Sequence, residues 1–364
     1  MSRSPQQVYD ALVQQHDMPL RPHACLTTPP NGRPADWSRV SGMLLGLAIG
    51  DSLGNTTEGC GAADRRRLVG EVRDYRPSRH SGNRAVGVPT DDTQMAFWTL
   101  EVLLAQGELD LDALTHAFVT RPIIGIGSTV RAFRREVLAG TPIDRAADRS
   151  AGNGALMRIA PVLVPYTSAP SAALWRDAAL ASRLTHNDTA STASCVAFID
   201  LLWKALQLPA PPSPTWWADT FLATLDALVT DEVYRARGGR FNDAGRFNEL
   251  VRIRLERARA EGWDTLTACD AFHSAAYLLE TVPCVLWILE RHGHDPVEAI
   301  VRAVNDTFDN DTTAAIVGAA VGALHGEDAL PERWRANLLG RTSHGDDGRV
   351  QQLIAHARDR WFVA

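Results

Sequence analysis

Apolar residues along this chain fall in helix-length blocks separated by polar breaks marked with proline or glycine. The first block, Ser41-Gly42-Met43-Leu44-Leu45-Gly46-Leu47-Ala48-Ile49-Gly50, is almost wholly apolar, and Gly42, Gly46 and Gly50 recur at a spacing of four. That spacing predicts a helix with small residues on one face, so its backbone can come close to a neighbour. A second apolar run, 95–104, follows Thr90-Asp91-Asp92-Thr93 and stops at Gly107, a residue suited to a helix C-terminus. Helical patterns recur at 111–119, 128–138, 191–206, 217–228, 247–260, 296–305 and 313–325. The strongly apolar stretch 271–291 predicts one buried helix, kinked at Pro283. No period-two runs bounded by hairpin turns stand out. The expectation is a compact, all-α domain over residues 37–364.

Two segments break the pattern. Residues 1–36 carry a short helical stretch at 6–15 and then Pro19, Pro22, Pro29, Pro30 and Pro34. They read as a proline-rich arm outside the main fold, or else as a flexible tail. Residues 64–89 are charged and rich in Arg, Gly and Pro, and read as a surface loop.

Composition narrows the function. The chain has 364 residues and a net charge of −6, so no global basic field is present to hold nucleic acid. The apolar runs fall short of the ~20 residues that a membrane span needs. Lys204 is the single lysine, which excludes a phosphate-loop GK[ST] motif. The five cysteines include no C-x-x-C pair, which fits a reducing, cytoplasmic setting better than a disulfide framework.

The candidate chemistry lies at helix starts. Asp91 and Asp92 precede one apolar run, and Asp309-Asn310-Asp311-Thr312 precedes another. Thr90 or Asp91 suits an N-cap, but one cap satisfies a helix end and leaves the adjacent carboxylate unexplained. Should the four acids converge, like charges ~4 Å apart would repel by about 4 kcal/mol at an effective dielectric of about 20. Hard divalent cations would relieve that, and all-oxygen ligands favour Mg²⁺ or Mn²⁺ over Zn²⁺. Asp51 and Glu58, taken alone, read as helix-end carboxylates capping nearby amides. Gly125-Ile126-Gly127-Ser128 and Ser150-Ala151-Gly152-Asn153-Gly154 are loops whose free amides suit a phosphate. His186, in Thr185-His186-Asn187-Asp188, reads first as a local hydrogen bonder and second as a ligand contact.

Taken in order, Gly50-Asp51-Ser52-Leu53-Gly54 with Glu58, Thr90-Asp91-Asp92-Thr93, Gly152-Asn153-Gly154-Ala155-Leu156-Met157-Arg158, Thr185-His186-Asn187-Asp188 and Asp309-Asn310-Asp311-Thr312 resemble the ADP-ribosylglycohydrolases. The resemblance implies an orthogonal all-α bundle around two Mg²⁺ or Mn²⁺ ions. It implies metal contacts from Thr90, Asp91, Asp92, Asp309, Asp311 and Thr312, and catalytic roles for Glu58, Asp91, Asp92 and Asp311. It assigns Gly125, Gly127, Ser128, Ser150, Gly152, Asn153, Gly154, Met157 and His186 to ADP-ribose. The implied reaction removes ADP-ribose from a modified protein side chain, arginine foremost. Phe308 departs from the family, which usually carries Gly before the second acidic motif. The layout also resembles immunity proteins against ADP-ribosyltransferase toxins, whose N-terminal extension plugs the toxin; on that reading residues 1–36 contact a cognate toxin. An unrelated two-metal phosphoesterase is the third reading of the same acids.

Overall fold

The computed structural model describes residues 3–363; the first two residues of the expected arm and the last residue of the expected domain lie outside them. The apolar blocks form helices α1 (Pro5–Gln14), α2 (Trp37–Gly54), α3 (Ala62–Val69), α4 (Asp91–Gln106), α5 (Leu111–Thr120), α6 (Ser128–Leu138), α7 (Ala173–Arg183) and α8 (Thr189–Gln207). They continue as α9 (Trp216–Leu228), α10 (Phe247–Ala260), α11 (Thr265–Phe272), α12 (Leu278–His292), α13 (Pro296–Asp306), α14 (Asn310–His325), α15 (Glu332–Asn337) and α16 (Arg349–Trp361). A single short hairpin, β1 (Val233–Arg235) against β2 (Ala244–Arg246), is the only sheet among the described residues, so the fold is all-α as expected.

Helices α2 and α14 pack backbone against backbone, and glycine makes it possible. A Cβ on Gly46 would sit 2.1 Å from the Gly318 carbonyl oxygen, and one on Gly318 would sit 2.1 Å from that of Gly46. Gly42 faces Gly322, and Gly50 faces Ala314, at similarly short range. At the end of the seam a Cβ on Gly54 would lie 2.5 Å from the Asp311 Cα. The small-residue face read from the sequence is therefore the seam that brings Asp51, near the end of α2, beside Asp311 at the start of α14.

Two sequence expectations fail. The stretch 64–89 is not all loop, because α3 occupies its beginning. The Arg65 side chain is buried and donates to the carbonyls of Thr57, Cys60 and Asn305, so a residue that reads as surface charge ties α3 to the core. The stretch 271–291 is not one kinked helix. It breaks after Phe272 through His273 (φ 80°) and Ser274 (φ 47°) and resumes at Leu278. The break is held from outside: Ser274 accepts from the Asp309 amide at 2.9 Å, and Ala276 accepts from the Asn153 amide at 3.0 Å. Local apolar periodicity carries no trace of such partners.

The arm runs along the core. Leu12 and Leu20 are buried in it. The Arg21 amide donates to Leu228, the Trp175 indole to Thr28 and the Trp203 indole to Asn31, each at 2.8 Å.

Candidate active site and metal centre

The site starts from a capping problem. Helix α4 begins at Asp91, and its first amides need acceptors. The N-cap residue Thr90 supplies none from its own side chain. Asp51 supplies them from α2: it accepts from the Thr90 and Thr93 amides (2.9 and 3.1 Å) and from both threonine hydroxyls (2.6 Å each). Capping thus describes Asp51 correctly, but the helix it caps is another one. At α14 the N-cap Asp309 likewise makes no side-chain cap and instead accepts from Asn153 at 2.7 Å.

These turns gather the acids. Oxygens of Asp51, Asp92 and Asp311 lie within 4.8 Å of one another, and so do oxygens of Glu58, Asp309 and Asp311. Asp311 belongs to both groups. One Asp92 oxygen is buried without any hydrogen-bond donor among the described residues. A buried carboxylate oxygen left so is costly, and a hard cation is the partner that fits an all-oxygen cluster. The residues present therefore fit divalent metal.

Electrostatics agree. Burial first, then the charges of Asp51, Asp91 and Asp309, push the Asp92 carboxyl well up, against a hydrogen bond from Thr312. Burial and then Asp92, Asp309, Glu58 and Asp51 do the same to Asp311. Asp91 is pushed up to about 8, by burial first and Asp51 second. Glu58 opens onto the cleft, yet partial loss of water and then Asp309 and Asp51 raise it too.

These raised values make stability depend on pH. The metal-free native protein binds more protons than the unfolded chain, so its stability falls as pH rises toward 8. His186 opposes this only below its unfolded value of about 6.5. Between pH 6.5 and 8.5 the melting temperature in chelator is expected to fall, and Mg²⁺ is expected to raise it most at the alkaline end. Thermal unfolding with and without Mg²⁺ measures both; a metal-induced shift that shrinks with pH contradicts the assignment.

Beside the acids lies a cleft of about 390 Å³. It is lined by Glu58, Asp91, Asp92, Asp309, Asp311 and Thr312, and by every expected ADP-ribose residue: Gly125, Gly127, Ser128, Ser150, Gly152, Asn153, Gly154, Met157 and His186. Thr90 alone among the expected residues is not on the wall; its hydroxyl is turned onto Asp51. Gly127 precedes α6 with no side-chain cap, leaving amides for an anion. Gly125 adopts φ 84°, and a Cβ there would lie 2.7 Å from an Asp91 oxygen. Asn153 directs its amide hydrogens to Asp309 and Thr281, so it braces the acidic wall. Burial, and then Arg158, push the His186 imidazole down to about 3, so it is neutral.

The break between α11 and α12 adds wall residues that sequence reading missed. His273, Ala275, Ala276, Tyr277 and Glu280 line the cleft, with Arg237 stacked 3.9 Å from the Tyr277 ring centroid. A stretch that reads as buried helix gives no signal for them. Phe308, at the position where the family usually carries glycine, keeps its loop in place: its amide donates to the Ser274 hydroxyl (3.0 Å) and its carbonyl accepts from Gly59 (3.3 Å).

Comparison with known proteins adds to this geometry. A family profile described as ADP-ribosylglycohydrolase matches residues 33–361. The ADP-ribosyl-(dinitrogen reductase) glycohydrolase of Rhodospirillum rubrum is 28% identical over 335 residues, covering 89% of this chain and 98% of that protein. The ADP-ribosylarginine hydrolase Tri1 of Pseudomonas putida is 29% identical over 329 residues, covering 86% of this chain and 77% of that protein. A solved structure titled ADP-ribosylglycohydrolase-related protein complex superposes with a TM-score of 0.60 at 26% identity, over 90% of this chain and 98% of that one.

Proposed function

This chain belongs to the ADP-ribosylglycohydrolase family, and on that footing we propose that it is a hydrolase that removes ADP-ribose from modified arginine side chains of proteins, using two Mg²⁺ or Mn²⁺ ions. The observation that carries the reading is the meeting of two acid groups, sharing Asp311, with a cleft that has glycines and the uncapped start of α6 along one wall. The arginine preference rests on the likeness to a relative named for that substrate.

Asp51, Asp92, Asp309 and Asp311 would hold the cations, with Asp91, Thr90 and Thr312 beside them. When bound, the ions supply charge neutralisation and Lewis-acid polarisation. The remaining steps belong to the chain's own groups. The uncapped amides at the start of α6 bind the pyrophosphate, and the 150–154 loop, whose Gly152 and Asn153 amides are already held by Ser150 and Ala276, shapes the wall beside it. Glu58, on the open side of the acid cluster, takes a proton from the water that adds to C1″ of the distal ribose. The C1″–N bond breaks as oxocarbenium character builds, and the leaving guanidine takes up a proton.

The test is release of free ADP-ribose from protein ADP-ribosylated on arginine, with Mg²⁺. Glu58→Gln is expected to lower kcat by on the order of 10²–10⁴-fold while ADP-ribose affinity changes little. If wild-type protein releases nothing from arginine-linked or serine-linked substrates, the reading is wrong.

A second reading is that residues 1–36 block an ADP-ribosyltransferase toxin stoichiometrically. Its support is an arm that holds a fixed path over α7–α9. An arm-deleted protein that still inhibits a transferase mole for mole would remove it.

A further inference from the structure

Arg158 and Thr185 belong to motifs that the proposed chemistry leaves without a role. Arg158 is wholly buried, its guanidinium lying 4.8 Å from the Phe118 ring centroid. It donates to the carbonyls of Gly154 (3.1 Å) and Ala181 (3.0 Å) and, at 2.8 Å, to the Thr185 hydroxyl. That hydroxyl lies 2.8 Å from Nδ1 of His186.

Donor arithmetic fixes where the protons sit. An arginine only donates, so the Thr185 oxygen is the acceptor in its bond with Arg158. The hydroxyl has one hydrogen, and His186 Nδ1 is the partner left for it. Were Nδ1 protonated instead, Thr185 would accept twice and its own buried hydrogen would have no acceptor, which is costly. Nδ1 is therefore the acceptor, and the proton of the neutral ring sits on Nε2. Nε2 faces the two glycines of the cleft loop: a Cβ would lie 3.4 Å from it at Gly152 and 3.3 Å at Gly154. Those glycines clear the approach to this N–H on the cleft wall that His186 lines.

We propose that Arg158, acting through the Thr185 hydroxyl, is a positioning residue that locks His186 in the Nε2–H tautomer, making it a permanent donor to an acceptor oxygen of the bound ADP-ribose. The lock explains why a neutral histidine suits an anionic ligand. A ring free to choose would present a lone pair to the ligand part of the time. The ligand half of the inference rests on the proposed hydrolase function; the tautomer half does not.

The test separates the two. In protein labelled with ¹⁵N-histidine, ring nitrogen shifts report the His186 tautomer, and calorimetry reports ADP-ribose affinity. Wild type is expected to show protonated Nε2 and unprotonated Nδ1. Thr185→Val keeps the side-chain shape but removes the hydroxyl, and is expected to move the Nδ1 and Nε2 shifts toward a tautomer mixture and to weaken ADP-ribose about tenfold. Thr185→Ser is expected to restore both. A Thr185→Val spectrum that matches wild type, or a Thr185→Ser protein as altered as Thr185→Val, overturns the lock. A wild-type protein with the locked tautomer that binds no ADP-ribose overturns the functional reading and leaves the lock standing.

Discussion

Asp311→Asn is expected to abolish turnover and yet stabilise the metal-free protein. Its carboxylate is the member common to both acid groups, so its loss disturbs both at once. The rate of ADP-ribose release should fall on the order of 10³-fold or more, as for removal of a principal electrostatic group from a site. The stability effect has the opposite sign. Asp311 is buried, and Asp92, Asp309, Glu58 and Asp51 all raise its carboxyl. An isosteric amide removes that repulsion and keeps an oxygen for the Thr312 amide, which the carboxylate accepts at 2.9 Å. In chelator the variant should melt above wild type at pH 8, and Mg²⁺ should no longer raise its melting temperature. A misfolded variant would lose activity and stability together, so the paired readout tells loss of the site from loss of the fold. If Mg²⁺ stabilises Asp311→Asn as much as wild type, the cation is held elsewhere.

Gly46→Ala should be among the most damaging single-methyl additions available in this chain. The new Cβ would fall 2.1 Å from the Gly318 carbonyl oxygen, and that obstacle is backbone, which no rotamer change relieves. Alanine would otherwise favour the helix by roughly 1 kcal/mol. Forcing α2 and α14 apart should outweigh this, with a net loss of about 3 kcal/mol or more. The seam ends at the acids, with Gly54 packed on the Asp311 backbone. Any Gly46→Ala protein that still folds should therefore also bind Mg²⁺ more weakly. Gly61→Ala is the control: no atom lies within 4 Å of its would-be Cβ, so the change should stay within about 1 kcal/mol. Urea unfolding of both variants measures the difference, and equal midpoints would refute the seam as a close-packed contact.

Much of the candidate site is legible in the sequence. The paired acids at 91–92 and 309–311 are visible because one capped helix end has no use for a second carboxylate. Asp51 reads as a cap, and it is one; its reach across to α4 is not legible, because the amides it satisfies lie 39 and 42 residues away. Asn153 reads as a ligand contact, and the structure turns its amide onto Asp309. His273, Tyr277 and Glu280 leave no mark in the sequence because 271–291 has the periodicity of a single buried helix.

By itself the sequence determined most of the helices, their small-residue face and the residue types able to hold a hard cation. These come from local rules: periodicity, caps and side-chain chemistry act within a few residues. Only tertiary structure decided which helix end each carboxylate serves, where the apolar stretch 271–291 breaks and which nitrogen of His186 carries its proton. Each of those depends on satisfying a buried polar group with a partner from a distant segment, and that partner is chosen by packing.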